Sequence, residues 1–125
     1  MVALGRYTTG IFCSNERLVS LFQNIGQEMG DKFWPLPLDE ELKEEIKGTF
    51  SDIKNIGSRY GGAITAALFL KEFVGEEVKN WVHLDIAGPA FLEKEWKYYA
   101  EGATGVPVRT IIHWLIKGAD IGTGS

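Results

Sequence analysis

From Ala63 to Val74 only Thr65, Lys71 and Glu72 interrupt a run of apolar residues. A helix with so narrow a polar face needs cover on nearly all sides, which places it inside a layered fold rather than on a surface. Gly61 and Gly62 stand before its first turn and Gly75 after its last, positions suited to a flexible entry and a left-handed C-terminal cap. A polar turn, Glu76 to Asn80, then leads into WVHLDIAGP. In that segment Val82, Leu84 and Ile86 point to one face, and Trp81, His83, Asp85 and Ala87 to the other. Apolar residues on both faces predict an interior strand, and a buried helix feeding a buried strand predicts an α/β fold. The Ala-Gly-Pro that ends the strand brings bare backbone to the carboxyl edge of a sheet, where open α/β sheets place their ligands.

The remaining chain reads as packing around this unit. The apolar run Met1 to Leu4 predicts a strand already under way at the first residue. Ser14 can cap a helix in which Leu18, Leu21, Phe22, Ile25 and Met29 recur at helical spacing, with Gly30 as the stop. Two prolines at alternate positions in Phe33 to Leu38 allow an extended or edge segment but not a helix or a central strand. Asp39 caps a short acidic helix with Leu42 and Ile46 on its apolar stripe and Gly48 at its end. Thr49 to Tyr60 reads as an ordered loop, and Phe91 to Gly105, with four aromatics and no clean period, as a packed one. Pro107 opens a last helix in which Val108, Ile111, Ile112 and Leu115 form the apolar stripe, with Lys117 in its last turn and Gly118 beyond. The tail from Gly122 to Ser125 reads as disordered.

At 125 residues and 45% hydrophobic, the chain is long enough for one ordinary domain with a real core. A net charge of −4 with dispersed lysines and arginines offers no basic footprint for nucleic acid or an anionic membrane. No apolar run approaches the roughly 20 residues needed to span a bilayer. Cys13 is the single cysteine, so an internal disulfide is excluded and a reducing, cytoplasmic compartment fits. No local motif pairs it with His83 or His113 as a nucleophile, and it reads as a small buried hydrophobe.

Three segments in order, NIGSRYGGAITAALFLKEFV, WVHLDIAGPA and GATGVPVRTIIHWL, resemble the C-terminal part of the catalytic domain of the cytosol (leucyl) aminopeptidase family, and MVALGRYTTGIFCSN resembles one of its strands with the following loop. The resemblance implies an α/β/α sandwich with a mixed central sheet, here as a C-terminal portion spanning residues 1–121. It implies an enzyme that, as a complete protein, removes N-terminal residues from peptides using two divalent ions such as zinc or manganese, and that assembles as hexamers in the cytoplasm. The family's metal ligands and its acidic signature belong to a part of the domain that this sequence does not contain. The resemblance therefore implies no catalytic and no metal-ligating residue here, and an isolated chain without peptidase activity. What it places here is substrate-pocket wall: Ala87 and Ala90 line the pocket for the N-terminal side chain, Gly88 lets backbone approach it, and Ile56 lies beside the next side chain of the peptide. Small residues suit that role, since a leucine-sized group needs unfilled volume lined by apolar atoms. Taken from the residues alone, Ala-Gly-Pro reads better as the end of a strand in tight packing.

Other polar residues read more plainly. His83 and Asp85 share a strand face, but two ligands are too few for a metal, and a polar pair satisfied by neighbouring backbone fits better. The glycines from Gly57 to Gly62 could hold an anion on free N–H groups, yet they match no phosphate-loop spacing. Arg59 and Arg109 are the cations expected to find specific carboxylate partners as fold salt bridges. A second functional reading, a free-standing non-catalytic binding or assembly module, is motivated by the methionine at the start of the first strand. An unpaired sheet edge and open apolar faces would make the lone chain self-associate or leave it marginally stable.

Overall fold

The computed structural model describes residues 3–46 and 62–119. Within them the chain forms β1 (Thr8–Phe12), α1 (Glu16–Met29), β2 (Lys32–Pro35), a 3-10 helix (Glu40–Ile46), α2 (Gly62–Lys71), β3 (His83–Asp85), β4 (Phe91–Leu92), β5 (Gly102–Ala103) and α3 (Val108–Ile116). Gly48, the loop from Thr49 to Tyr60 with Ile56 and Arg59, and the tail from Gly122 to Ser125 lie outside the described residues.

Strand β1 is the centre of a mixed three-stranded sheet ordered β2-β1-β3. It runs parallel to β2, with Thr9 opposite Phe33, and antiparallel to β3, with Ile11 opposite Leu84. Because side chains alternate along a strand, Ile11 and Leu84 point to one face and Phe12 and His83 to the other. On the first face Ile11 packs with Leu18, Val19 and Phe22 of α1 and with Phe33, and Leu84, Ile111 and Trp114 close around them. Helix α3 lies against α1, so the two form one layer. Phe12, on the opposite face, is also wholly buried, so the sheet is covered on both sides as an α/β/α arrangement requires.

Local chemistry accounts for α1 closely. Asn15, one residue beyond the expected Ser14, accepts at its side-chain oxygen from the N–H groups of Arg17 and Leu18. Gly30 ends the helix at φ +84, a left-handed conformation that a side chain resists. Gly26 is needed for another reason: a Cβ there would press into the Phe33 ring and the Asp31 carbonyl, so the chain turning from α1 into β2 crosses this residue at backbone distance.

Several expectations need correction. Among the described residues the first strand starts at Thr8, and the expected strand does not run through Ala3 and Leu4: these form a turn, Gly5 takes φ +79, and Leu4 folds back over Gly10. Phe91 to Gly105 is not a loop but an antiparallel pair, β4 with β5, carrying a further turn in which Trp96 and Tyr99 exchange backbone hydrogen bonds. Helix α2 buries only Thr65, Ala67 and Leu68, while Leu70 and Phe73 are exposed, the latter by 73%. It also ends early, with Phe73 and Val74 donating to Leu70 and Lys71 in tighter turns, and Gly75 is not left-handed. On α3 the inward residues are Thr110, Ile111 and Trp114, whereas Val108, Ile112 and Leu115 of the expected stripe face out. Finally, β3 has three residues and lies at the edge of the described sheet, not inside it. Being antiparallel, its carboxyl end lies where β1 and β2 begin, so the carboxyl-edge rule for parallel sheets does not by itself locate a ligand there.

Candidate functional site

The loop that leaves β3, Ile86 to Ala90, is made rigid by backbone and by two short side chains. Asp85 turns its carboxylate onto the next residues, and its Oδ1 accepts from the Ala87 N–H at 3.1 Å. The Ile86 carbonyl accepts from the Ala90 N–H at 3.0 Å, closing the turn. Across the gap to β5, Thr104 donates from its hydroxyl to the Pro89 carbonyl at 2.6 Å and from its N–H to the Ala90 carbonyl at 2.9 Å. The same hydroxyl accepts from the Val106 N–H at 3.2 Å. On the other side Gly88 is buried against the Gly5 carbonyl and Arg6, where a Cβ would collide with backbone.

Three of the four expected pocket residues, Ala87, Gly88 and Ala90, lie on this loop. Ala87 is exposed, so its methyl is available to a ligand. Ala90 is half-buried two residues beyond the Gly88 contact. Gly88 itself meets Gly5 rather than open space. Ile56 lies outside the described residues. The loop offers shape and apolar surface and no acid, base or nucleophile.

Polar groups near the loop are structural in their bonding. His83 lies between Phe12 and Trp81, its ring 5.6 Å and 5.9 Å from theirs, and burial pushes its pKa down against the opposing pull of Asp85. Asp85 is occupied by the Ala87 N–H, as a pair satisfied by neighbouring backbone predicts. Cys13 is half-buried against the core, and the Asn15 N–H points at its sulfur at 3.4 Å. Among the described residues no group of three or more His, Cys, Asp or Glu could hold a metal ion, so the residues described here do not fit a divalent centre.

Asp31, just past the Gly30 cap, is the polar centre that sequence reasoning missed. Its side chain is fully buried, with Arg109 Nε donating to Oδ1 at 3.0 Å and Thr110 Oγ1 donating to Oδ2 at 2.5 Å. Arg109 also donates to the Gly30 carbonyl, to the Tyr98 hydroxyl at 2.7 Å and to the Tyr99 hydroxyl. Burial, helped by the Tyr98 hydrogen bond, pushes the Tyr99 phenol up to about 12, while hydrogen bonds from Tyr99 and then Arg109 lower that of Tyr98. The salt bridge expected of Arg109 is therefore present and joins the end of α1, the turn at Tyr98 and the start of α3. An acid directly after a helix-stopping glycine was the only sequence signal for Asp31.

A larger open cleft lies between the 3-10 helix and α2, bordered by Lys43, Glu72, Lys79 and Trp81. It sits at the opposite end of β3 from the loop. Within it Lys43 meets Glu72 at 2.6 Å and Glu40 at 3.3 Å.

The described elements form a mixed α/β layer with a loop of small residues after β3. The sequence model of the cytosol aminopeptidase family, catalytic domain, matches residues 1–112, and the chain belongs to that family. It is 50% identical over 118 residues to a probable cytosol aminopeptidase of Aquifex aeolicus (strain VF5), a match covering 94% of this chain and 24% of the relative. Among solved structures, a mutant tomato leucine aminopeptidase superposes with a TM-score of 0.82 at 39% identity, over 94% of this chain and 22% of that one. The bottromycin maturation enzyme BotP in complex with Mn gives a TM-score of 0.85 at 35% identity, over 95% of this chain and 26% of that one. The chain thus spans about a quarter of the length of the curated relatives it matches. No described helix is long and apolar enough to cross a membrane.

Proposed function

We propose that this chain is the C-terminal part of an aminopeptidase that hydrolyses N-terminal residues from peptides, and that it supplies the wall of the pocket for the substrate's first side chain. The observation that carries the reading is the exposed Ala87 on a loop held by hydrogen bonds at Ala87, Pro89 and Ala90. A rigid wall of methyl groups leaves room for a large aliphatic side chain and buries it without competing polar contacts. Ala90 extends the wall, Gly88 allows the loop to pass Gly5, and Ile56 lies beside the following residue of the peptide. The two divalent ions, zinc or manganese, are held by residues outside this chain, so that 125 residues alone do not hydrolyse peptides. The relatives are named cytosol aminopeptidases, which supports a cytoplasmic peptidase, and a hexamer is the assembly we assign to the complete protein.

The test joins the 125-residue chain to the part of the Aquifex aeolicus relative that precedes the 118-residue match. Hydrolysis of leucine p-nitroanilide with added manganese or zinc is expected from the hybrid and not from the chain alone. Activity of the chain alone would show that it holds a metal site of its own, and an inactive hybrid would remove the pocket-wall reading. A second reading, a non-catalytic binding or assembly module, draws on the exposed Leu70, Phe73, Ile112 and Ile116. It gains if neither protein is active.

A further inference from the structure

Apart from Ile86 the pocket-wall loop carries only alanine, glycine and proline, so hydrogen bonds to its backbone and the close contact at Gly88 set where Ala87 and Ala90 stand. Two of its hydrogen bonds are internal, from Ala87 to Asp85 and from Ala90 to Ile86. Among the described residues, the two that tie it to another segment both come from Thr104. Pro89 has no N–H, so its carbonyl is the one backbone group through which that residue can be held, and the Thr104 hydroxyl takes it at 2.6 Å. Accepting from Val106 orients the hydroxyl so that its proton is left for Pro89. The segment beyond runs into α3, where Arg109 is fixed on the buried Asp31. Opposite Thr104, Gly88 already touches the Gly5 backbone and cannot move inward. The loop is therefore held between a steric stop and Thr104, whose N–H takes the Ala90 carbonyl and whose hydroxyl alone takes that of Pro89.

We infer that Thr104 is a positioning residue for substrate selectivity, setting the depth of the first side-chain pocket through the Pro89 carbonyl without touching substrate. The inference rests on Ala87 and Ala90 being pocket wall. Losing the hydroxyl frees the loop and blurs the discrimination between a large and a small N-terminal side chain, while the reacting groups, lying elsewhere, keep their rate.

The experiment uses the hybrid described above, with leucine and alanine p-nitroanilides as probes. Thr104→Val, which keeps the shape and removes the hydroxyl, is expected to raise KM for the leucine substrate about fivefold, the effect of one net hydrogen bond, with kcat changed less than about twofold. Thr104→Ser, which keeps the hydroxyl, is expected to retain the leucine-to-alanine ratio of the parent. A purely structural role would instead lower kcat through loss of active protein and leave KM and the ratio alone. Ala87→Leu serves as the separate check on the pocket: it should penalise the leucine substrate over the alanine one. If Ala87→Leu leaves the ratio unmoved, or the hybrid is inactive, the pocket reading falls and the inference with it. If Ala87→Leu moves the ratio and Thr104→Val does not, the role of Thr104 alone is overturned. Should the valine variant not fold, Thr104→Ala is judged by the same criterion, and a serine variant that loses selectivity also overturns the inference.

Discussion

Asp31 shows how much one residue can decide when its charge has nowhere to go. Its carboxylate is fully buried and satisfied by Arg109 and Thr110, so removing it strands a guanidinium that is itself two-thirds covered. Asp31→Ala should cost about 3 kcal/mol, the lower end for breaking a buried pair by deleting one partner. Urea denaturation checks this, and a loss under about 1 kcal/mol would mean that water replaces the carboxylate easily. His83 makes a second residue-scale prediction. Burial depresses its folded-state pKa, so between that value and the unfolded 6.5 the unfolded chain binds more protons. Its contribution is complete above 6.5 and is lost as pH falls through the folded value, and His83→Gln should flatten that part of the stability profile. A profile equally steep in the variant would assign the dependence to other groups. These roles were only partly legible in the sequence. That Arg109 would find a carboxylate could be read, but its partner is 78 residues away and close only because α3 packs on α1.

Elements were legible where their signals are local. Helix α1 shows its period from Leu18 to Met29 and its stop at Gly30 in consecutive residues, so its body was read correctly and only the cap moved from Ser14 to Asn15. The β4–β5 pair was missed because its strands have two residues each and because pairing depends on partners ten residues apart. Within it the turn between Trp96 and Tyr99 places Lys97 at φ +55, a conformation that costs a residue with a Cβ about 1–2 kcal/mol. Glycine avoids that cost but adds about 0.5–1 kcal/mol of unfolded-state entropy. Lys97→Gly should therefore stabilise the chain slightly, by about 0.5 kcal/mol, even though the lysine also sits over the Trp96 ring. Lower stability in thermal melts would mean that the cation–π contact outweighs the backbone strain. The α3 stripe was misread for a related reason. Period alone finds an apolar helix face but does not say whether a neighbour covers it, and here Thr110 and Trp114 turn inward while Ile112 and Leu115 do not.

At the scale of the whole molecule the same uncovered faces matter together. Leu70, Phe73, Val108, Ile112, Leu115 and Ile116 are all exposed, and those of α3 are close enough in sequence to form one apolar face. The isolated chain should self-associate at micromolar concentrations or melt over a broad range, which sedimentation velocity and calorimetry measure. A dilute monomer with one sharp transition would contradict this. The fold class was readable because helical and strand patterns alternate along the chain, although α2 buries only three residues and β3 is an edge strand. The candidate loop was readable from small residues at a strand end, whereas its clasp by Thr104 was not, since a threonine fourteen residues beyond Ala90 carries no local sign of its partner. The account rests most heavily on Ala87 to Ala90 being the wall of a pocket completed by other residues of the catalytic domain. Its most direct test is hydrolysis of leucine p-nitroanilide, with manganese or zinc, by the 125-residue chain and by the hybrid that supplies the preceding part of a relative. Activity in the hybrid alone is the predicted result, and activity in the isolated chain, or in neither protein, would contradict it.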